Sequence, residues 1–428
     1  MAKISLIGAG SATFARRLLQ DIVCVPELSD ATVSLMDTNP ERLALMSKYA
    51  NKLVRDTGTN IKIESTPDRR EALDGSNYVL TTIRVGDNYE RDIAIPLKYG
   101  IDQSVGDTVG PGGVFKALRT APVLMDVCED IEDVAPDATL LNYTNPMAIA
   151  CWAIAEATSV PTIGLCHSVQ RTTLDLADYI GVSPDRVKGW VAGINHLSWF
   201  LRFEVDGQDA YPQLFEAMKN PEIFSRDTVR FEVMKQFGYF VTESTRHMSE
   251  YTPYFRTNEE TIEDFNLDQI PQYLQQYETR DDGNATQILE DVNSDKKLTA
   301  TRSEEYACRI IEAMESDHPT VINGNVPNEG LIDNLLNLSS VEVPILIDKL
   351  GFHPMAVGEL PGQLAALSRS NQAVQQLATQ AILDGDKEAA FHAIALDPLT
   401  SAVLSLGEIR AMFDEMWTAH GTELAAYS

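Results

Sequence analysis

Cys166 and His167 stand side by side in GLCHSVQ, residues 164–170, between an apolar run (Val160 to Ile163) and a helix-like stretch from Arg171 to Ile180. Thirty residues further on, GINH carries His196 after another apolar segment, WVAG at 190–193. A thiol and imidazoles at strand ends fit three chemistries: a nucleophile with its base, the ligands of a metal ion, or ordinary residues near a core. No CxxC or HxxxH spacing occurs, so a structural zinc motif is not the reading. A cysteine protease would pair Cys and His with an orienting amide but would have no use for a dinucleotide. Cys166 and His196 converging on an open-sided divalent ion beside a nicotinamide would make chemical sense, because the ion would polarise substrate hydroxyls. A buried structural cysteine is the alternative.

The elements that must position these residues begin upstream. KISLIGAGSATF opens the chain as a strand, a glycine turn and a helical pattern from Ser11 to Val25. ATVSLMD is a second strand ending in Asp37, followed by a helix-like stretch from Glu41 to Arg55. NYVLTTI (77–83) and ATLLNYT (138–144) read as further strands, with helical segments between them. This alternation predicts an α/β fold with a Rossmann-like, doubly wound parallel sheet. In GAGS, Gly8 permits the tight turn, and Gly10 lets backbone amides, with Ser11 beside them, approach a pyrophosphate at a helix N-terminus. Thr13 stands at the third glycine position, so the fingerprint is incomplete. Asp37 is placed to accept hydrogen bonds from an adenosine ribose, which favours NAD over NADP. A glycine turn with an exposed aspartate in a non-binding fold is the competing reading.

Two further segments fall where such a sheet presents ligands. NYTNP, 142–146, offers Asn142 and Asn145 to a nicotinamide or to substrate hydroxyls; an asparagine turn with a helix cap reads the same residues structurally. DTVGPGGVFKALRT, 107–120, is expected to be a glycine-rich loop leading into a helix that carries Lys116 and Arg119. Asp107 is available there to sugar hydroxyls or to acid/base work, and Arg119 to the substrate.

From about His196 the chain is helix-rich, with amphipathic stretches at 303–315 and 371–384. The expected organisation is a dinucleotide-binding domain over 1–195 and a helix-rich α+β domain over 196–428 for substrate binding and oligomerisation. A chain of 428 residues is long enough for two domains. With 63 acidic against 34 basic residues and a net charge of −29, nucleic acid and membranes are poor partners. Five scattered cysteines, and a strand that starts directly after Met1-Ala2-Lys3, suit a reducing cytoplasm.

GAGS, NYTNP, GLCHSVQ, GINH and FGYFVTES, then RH and EYTP, occur in the order found in family 4 glycoside hydrolases. GLCHSVQ and the last segment resemble the bacterial α-galactosidases of that family, the melibiase type. The similarity extends through NGNVPNEGLIDNL (323–335), LPGQLAAL (360–367) and LDPLTSAVLSL (396–406). The resemblance implies NAD and a divalent metal, usually Mn2+, acting on a small-molecule α-glycoside in a homodimer or homotetramer. By position, Cys166 and His196 match the family's metal ligands, and Tyr251 best matches its tyrosine base, with Tyr254 and Tyr239 nearby. His167 stands where phospho-sugar members carry an aspartate. That argues against a 6-phosphoglycoside and leaves the general acid open between Asp107 and His167.

A nicotinamide in a hydrolase makes sense if hydride leaves C3 of the sugar first, since the resulting ketone acidifies the proton on C2. A base then removes that proton, the C1 oxygen leaves by elimination, water adds, and the hydride returns. An α-glucosidase, an α-glucuronidase or an α-galacturonidase of the same family would share this route. A lactate/malate-type dehydrogenase is the rival among enzymes and would produce net NADH. A non-catalytic NAD sensor would need Gly8, Gly10 and Asp37 but not Cys166 or His196.

Overall fold

Six parallel strands carry the first part of the chain: β1 (Lys3–Ile7), β2 (Thr32–Met36), β3 (Lys62–Thr66), β4 (Tyr78–Thr81), β5 (Thr139–Asn142) and β6 (Thr162–Gly164). They lie in the order β3-β2-β1-β4-β5-β6, that of a dinucleotide-binding sheet with its switch point between β1 and β4. The computed structural model describes residues 1–86, 90–267, 283–316 and 318–427. Strands β1, β2, β4 and β5 are buried along nearly their whole length, as apolar runs covered on both faces require.

The sheet does not end at β6. Strands β7 (Val187–Ile194), β8 (Leu197–Val205), β9 (Gln208–Asp209), β10 (Thr320–Pro327), β11 (Ser340–Asp348) and β12 (Gly351–Pro354) extend it to twelve strands. Strand β10 joins β6 through Asn325 opposite Gly164, and β11 joins β7 through Glu342 opposite Gly193. The boundary expected at 195–196 falls in the turn of the β7–β8 hairpin, where Ile194 pairs with Leu197. The two sequence halves therefore share one sheet.

They share helical packing as well. The helix Gly362–Asp384 packs on Gly110–Val134 and on the apolar helix Met147–Ala157. Phe115, Leu118 and Ile149 join Ile394, Met412 and Phe413 in one core cluster. The expected helical stretches at 303–315 and 371–384 correspond to Tyr306–Glu315 and to part of Gly362–Asp384.

The expected loop at 110–113 is a correction: those residues form the first turn of the helix Gly110–Val134. Pro111 lies where a helix has no use for its amide, and its fixed φ suits the turn. The glycines are demanded by close approach. A Cβ at Gly112 would lie 2.4 Å from the Gly106 carbonyl oxygen, and one at Gly113 would lie 2.5 Å from the Thr108 carbonyl carbon.

Candidate active site

Strand β6 ends two residues before Cys166, and the β7–β8 turn carries His196 at a left-handed φ of 63°. A non-glycine residue held there is strained, a cost that structures retain chiefly at functional sites. Together these elements bring Cys166 Sγ to 3.2 Å from His196 Nε2. Behind them, His247 Nε2 lies 2.7 Å from His196 Nδ1. His247 sits in the short helix Thr245–Met248, capped by the Ser244 hydroxyl, and both imidazoles are buried. Tyr251 follows in the next turn of chain, its ring centroid 5.2 Å from that of His247 and 6.3 Å from that of His196. Its hydroxyl is buried and has no hydrogen-bond partner among the described residues.

Acidic groups surround this core. Asp107 Oδ2 accepts from Lys116 Nζ at 2.9 Å, and Oδ1 accepts from the Thr108 hydroxyl at 2.9 Å. Desolvation works against the charge on Asp107, but Lys116 and His247 outweigh it and hold the carboxyl down to about 2. Glu243, at a left-handed φ of 77°, is likewise desolvated, and His196 and His247 hold its carboxyl down to about 2. Glu342 accepts from the Ser198 hydroxyl at 2.7 Å, yet burial pushes its carboxyl up to about 7. Desolvation, then the charges of Glu342 and Glu243, push the Cys166 thiol well above its ordinary value. The Tyr251 hydroxyl is pushed up by burial, then by Glu243, Asp107, Glu250 and Cys166.

These residues fit a divalent cation. Donor atoms 3.2 Å apart have the spacing of neighbouring ligands on one ion with bonds of roughly 2.1–2.3 Å. A thiol so disfavoured as an anion would ionise there only with positive charge beside it. His196 also has the outer hydrogen-bond partner that orients a metal-binding imidazole. No group of three such side chains forms a closed cage among the described residues. A two-residue clamp would leave positions open to substrate.

The glycine turn fits a dinucleotide. Gly8 has φ 89°, and a Cβ there would lie 2.8 Å from the Thr82 carbonyl. The Gly10 amide donates to Asp37 Oδ2 at 2.7 Å, and Asp37 Oδ1 accepts from the Asn39 amide at 2.8 Å. The Ser11 hydroxyl accepts from the Phe14 amide at 3.2 Å, at the head of the helix Phe14–Val23. The N-terminus of that helix is where a pyrophosphate would gain from the helix dipole. Thr13, at the third glycine position, accepts from Asn284 at 2.8 Å, so the departure from the fingerprint serves a tertiary contact.

The other expected site residues differ in their surroundings. Asn142 is fully buried; its Oδ1 accepts from the Thr81 hydroxyl at 2.8 Å and the Thr144 amide at 3.0 Å, while Nδ2 donates to the Thr144 carbonyl at 3.1 Å. It braces the strand end and presents no group to a substrate. Arg119 is buried and paired with Asp92 at 2.6 and 3.1 Å, and it lines a small cavity with Asp107 and Lys116. Asn145, before the cis Pro146, is partly exposed. His167 is half-exposed at the head of the helix Ser168–Tyr179, 4.0 Å from Glu305 Oε1. Beside it opens a cleft of about 580 Å³ that His167, Arg171, Glu243, Ser244, Arg246 and Asn266 help to line.

His247, Glu243 and Glu250 were not singled out by the sequence reading. FVTES and RH were visible as motif letters, but nothing in their spacing tells that His247 meets an imidazole 51 residues away.

Residues 3–182 match the family model described as Family 4 glycosyl hydrolase, and residues 191–400 match Family 4 glycosyl hydrolase C-terminal domain. The chain is 42% identical to an alpha-galactosidase of Bacillus subtilis (strain 168), over 100% of both chains. It is 36% identical to an alpha-galactosidase of Rhizobium meliloti (strain 1021), over 100% of this chain and 90% of that one. A 6-phospho-alpha-glucosidase from gut microorganisms, solved in complex with NAD and Mn2+, shares the fold with a TM-score of 0.83 at 20% identity, covering 99% of this chain and 98% of that one. By its sequence along nearly the whole length, this chain belongs to glycosyl hydrolase family 4.

Proposed function

We propose that the protein is an NAD- and divalent-metal-dependent α-galactosidase that works by transient oxidation at C3, deprotonation at C2 and elimination. The observation that carries this reading is the Cys166–His196 pair at 3.2 Å, backed by His247 and flanked by the unpartnered Tyr251 hydroxyl. The two α-galactosidases at 42% and 36% identity support the choice of sugar. Gly8, Gly10, Ser11 and Asp37 would hold the dinucleotide, with Asn145 at the nicotinamide or substrate end; Cys166 and His196 would hold the ion, usually Mn2+. Bound there, NAD+ would supply a hydride acceptor that returns what it takes, and the cation would supply positive charge to polarise sugar hydroxyls.

The chain's own residues do the rest. Tyr251 removes the C2 proton; burial and its acidic neighbours keep its hydroxyl protonated until positive charge sits alongside. Asp107, held as a carboxylate, accepts hydrogen bonds from sugar hydroxyls. That leaves His167, at the rim of the cleft, to protonate the departing C1 oxygen. No helix among the described residues is long and apolar enough to cross a membrane. We assign the enzyme to a reducing cytoplasm, where Cys166 stays a thiol, as a homodimer or homotetramer.

Release of nitrophenol from an aryl α-galactoside tests the reading. It should require added Mn2+ and NAD+, show no net NADH, and exceed release from the α-glucoside and the α-galacturonide. Release unaffected by chelator would refute it, and net NADH from hydroxy acids would indicate a dehydrogenase.

A further inference from the structure

Glu250 precedes Tyr251 and is completely buried. Its Oε1 accepts from the Val105 amide at 2.7 Å and the Ser104 hydroxyl at 3.4 Å, and its Oε2 accepts from the Gly106 amide at 3.1 Å. Those three residues lead directly into Asp107. Arg256, also buried, backs the same loop, donating to Ser249 Oγ at 2.7 Å, Asp102 Oδ1 at 3.1 Å and Ser104 Oγ at 3.2 Å. The segment that carries Tyr251 therefore grips the segment that carries Asp107.

The other side of Glu250 faces the imidazoles. Its Oε2 lies 3.7 Å from His247 Nδ1. His196 can offer a lone pair from Nε2 only if its proton is on Nδ1. That Nδ1 then donates to His247 Nε2 across 2.7 Å. With Nε2 as acceptor, the His247 proton belongs on Nδ1, the atom facing the Glu250 carboxylate. That nitrogen has no hydrogen-bond partner among the described residues, so the buried carboxyl 3.7 Å away acts on it through charge, which favours a proton on Nδ1 and with it this tautomer of both rings.

We propose that Glu250 is a positioning residue that does two things at once: it holds the 104–106 loop that presents Asp107, and through His247 it fixes His196 in the tautomer that can bind a cation. The inference rests on reading Cys166 and His196 as a cation clamp. It assigns Glu250 and His247 to positioning; neither touches the reacting atoms.

Co2+ titration of the full chain is the test, because absorption from a cysteine thiolate on cobalt reports Cys166 directly. Outer partners of metal-binding histidines typically change affinity by roughly 10–100-fold, and Glu250→Gln should weaken Co2+ by that factor. It should also raise deuterium uptake in peptides spanning 102–107. His247→Gln should weaken Co2+ similarly while leaving uptake at 102–107 near that of the wild type, since the loop contacts remain. Wild-type Co2+ affinity in either variant, or unchanged uptake in Glu250→Gln, overturns the proposal. If Glu250→Gln does not fold, His247→Gln decides by its Co2+ affinity. A wild-type protein that binds no Co2+ overturns the clamp reading itself, and this inference with it.

Discussion

Cys166 Sγ and His196 Nε2 lie 3.2 Å apart although 30 residues separate them in the chain. One follows the last parallel strand, and the other occupies the turn of an antiparallel hairpin in the same sheet. Their contact links the dinucleotide half of the chain to the half that completes the site.

This contact predicts how the protein takes up Mn2+. Desolvation, with Glu342 and Glu243, holds the Cys166 thiol protonated in the free protein, so binding a cation must release that proton. Mn2+ affinity should therefore fall about tenfold for each unit of falling pH over the neutral range. Cys166→Ser should abolish Mn2+ binding and glycosidase activity, while its circular dichroism and thermal melt stay close to wild type. Full activity in that variant would sink the assignment.

The cofactor prediction rests on Asp37, whose carboxylate already holds the Gly10 amide at 2.7 Å. A negative charge at that place repels the extra phosphate of NADP. Fluorescence titration should show NAD+ binding much more tightly than NADP+, and Asp37→Ala should narrow the gap. Because the carboxylate also braces the turn, the variant should bind NAD+ itself more weakly. Equal wild-type affinities for the two cofactors would contradict the reading.

Local signals carried the parallel sheet well. The glycine turn, the apolar strands and the aspartate following β2 depend on residues close together in sequence. Long-range pairing was not legible. Nothing in NGNVPN announces that Asn325 pairs with Gly164 and so extends the sheet across the expected domain boundary. GPGG reads as a loop from its composition, but it forms the first turn of the helix Gly110–Val134, where Gly112 and Gly113 admit the close approach of Gly106 and Thr108. Asn142 carries suitable chemistry, yet Thr81 and Thr144 already bind its polar groups. A polar residue's type says what it can bind; only its partners show whether that capacity is already taken.

Asp397 supplies a stability prediction. It is 1% exposed, and Oδ2 accepts from the Thr400 amide at 2.9 Å and the Thr400 hydroxyl at 2.7 Å. Burial pushes its carboxyl up to about 6. Against an unfolded value near 3.9, the folded protein holds this proton more tightly. Ionisation therefore costs stability: nothing below about pH 4, an increasing amount between about pH 4 and 6, and the full amount above. Asp397→Asn keeps a capping oxygen without the charge. Its urea-unfolding free energy relative to wild type should improve by about 2–3 kcal/mol from about pH 4 to pH 7, the worth of about two pK units. A difference that stays constant with pH would place the Asp397 carboxyl at its ordinary value.

The reaction route makes the sharpest prediction, and it turns on the Tyr251 hydroxyl. That hydroxyl is buried, has no hydrogen-bond partner among the described residues, and stands beside the His247 and His196 rings. An unpartnered buried hydroxyl is costly, so its retention suggests a partner that arrives with the substrate. If Tyr251 takes the C2 proton and solvent exchanges with it before water adds, hydrolysis in D₂O places deuterium at C2 of the released sugar. Tyr251→Phe removes only the hydroxyl and fills the same space, so the fold and NAD+ binding should survive. Turnover should drop by about 10²–10⁴-fold, the usual worth of a positioned base, and C2 exchange should drop with it. Mass spectrometry or NMR of the product reads both effects. Sugar free of C2 deuterium after complete wild-type hydrolysis would refute the elimination route. Normal exchange in Tyr251→Phe would instead move the base to Tyr254, which is 47% exposed, or to Tyr239.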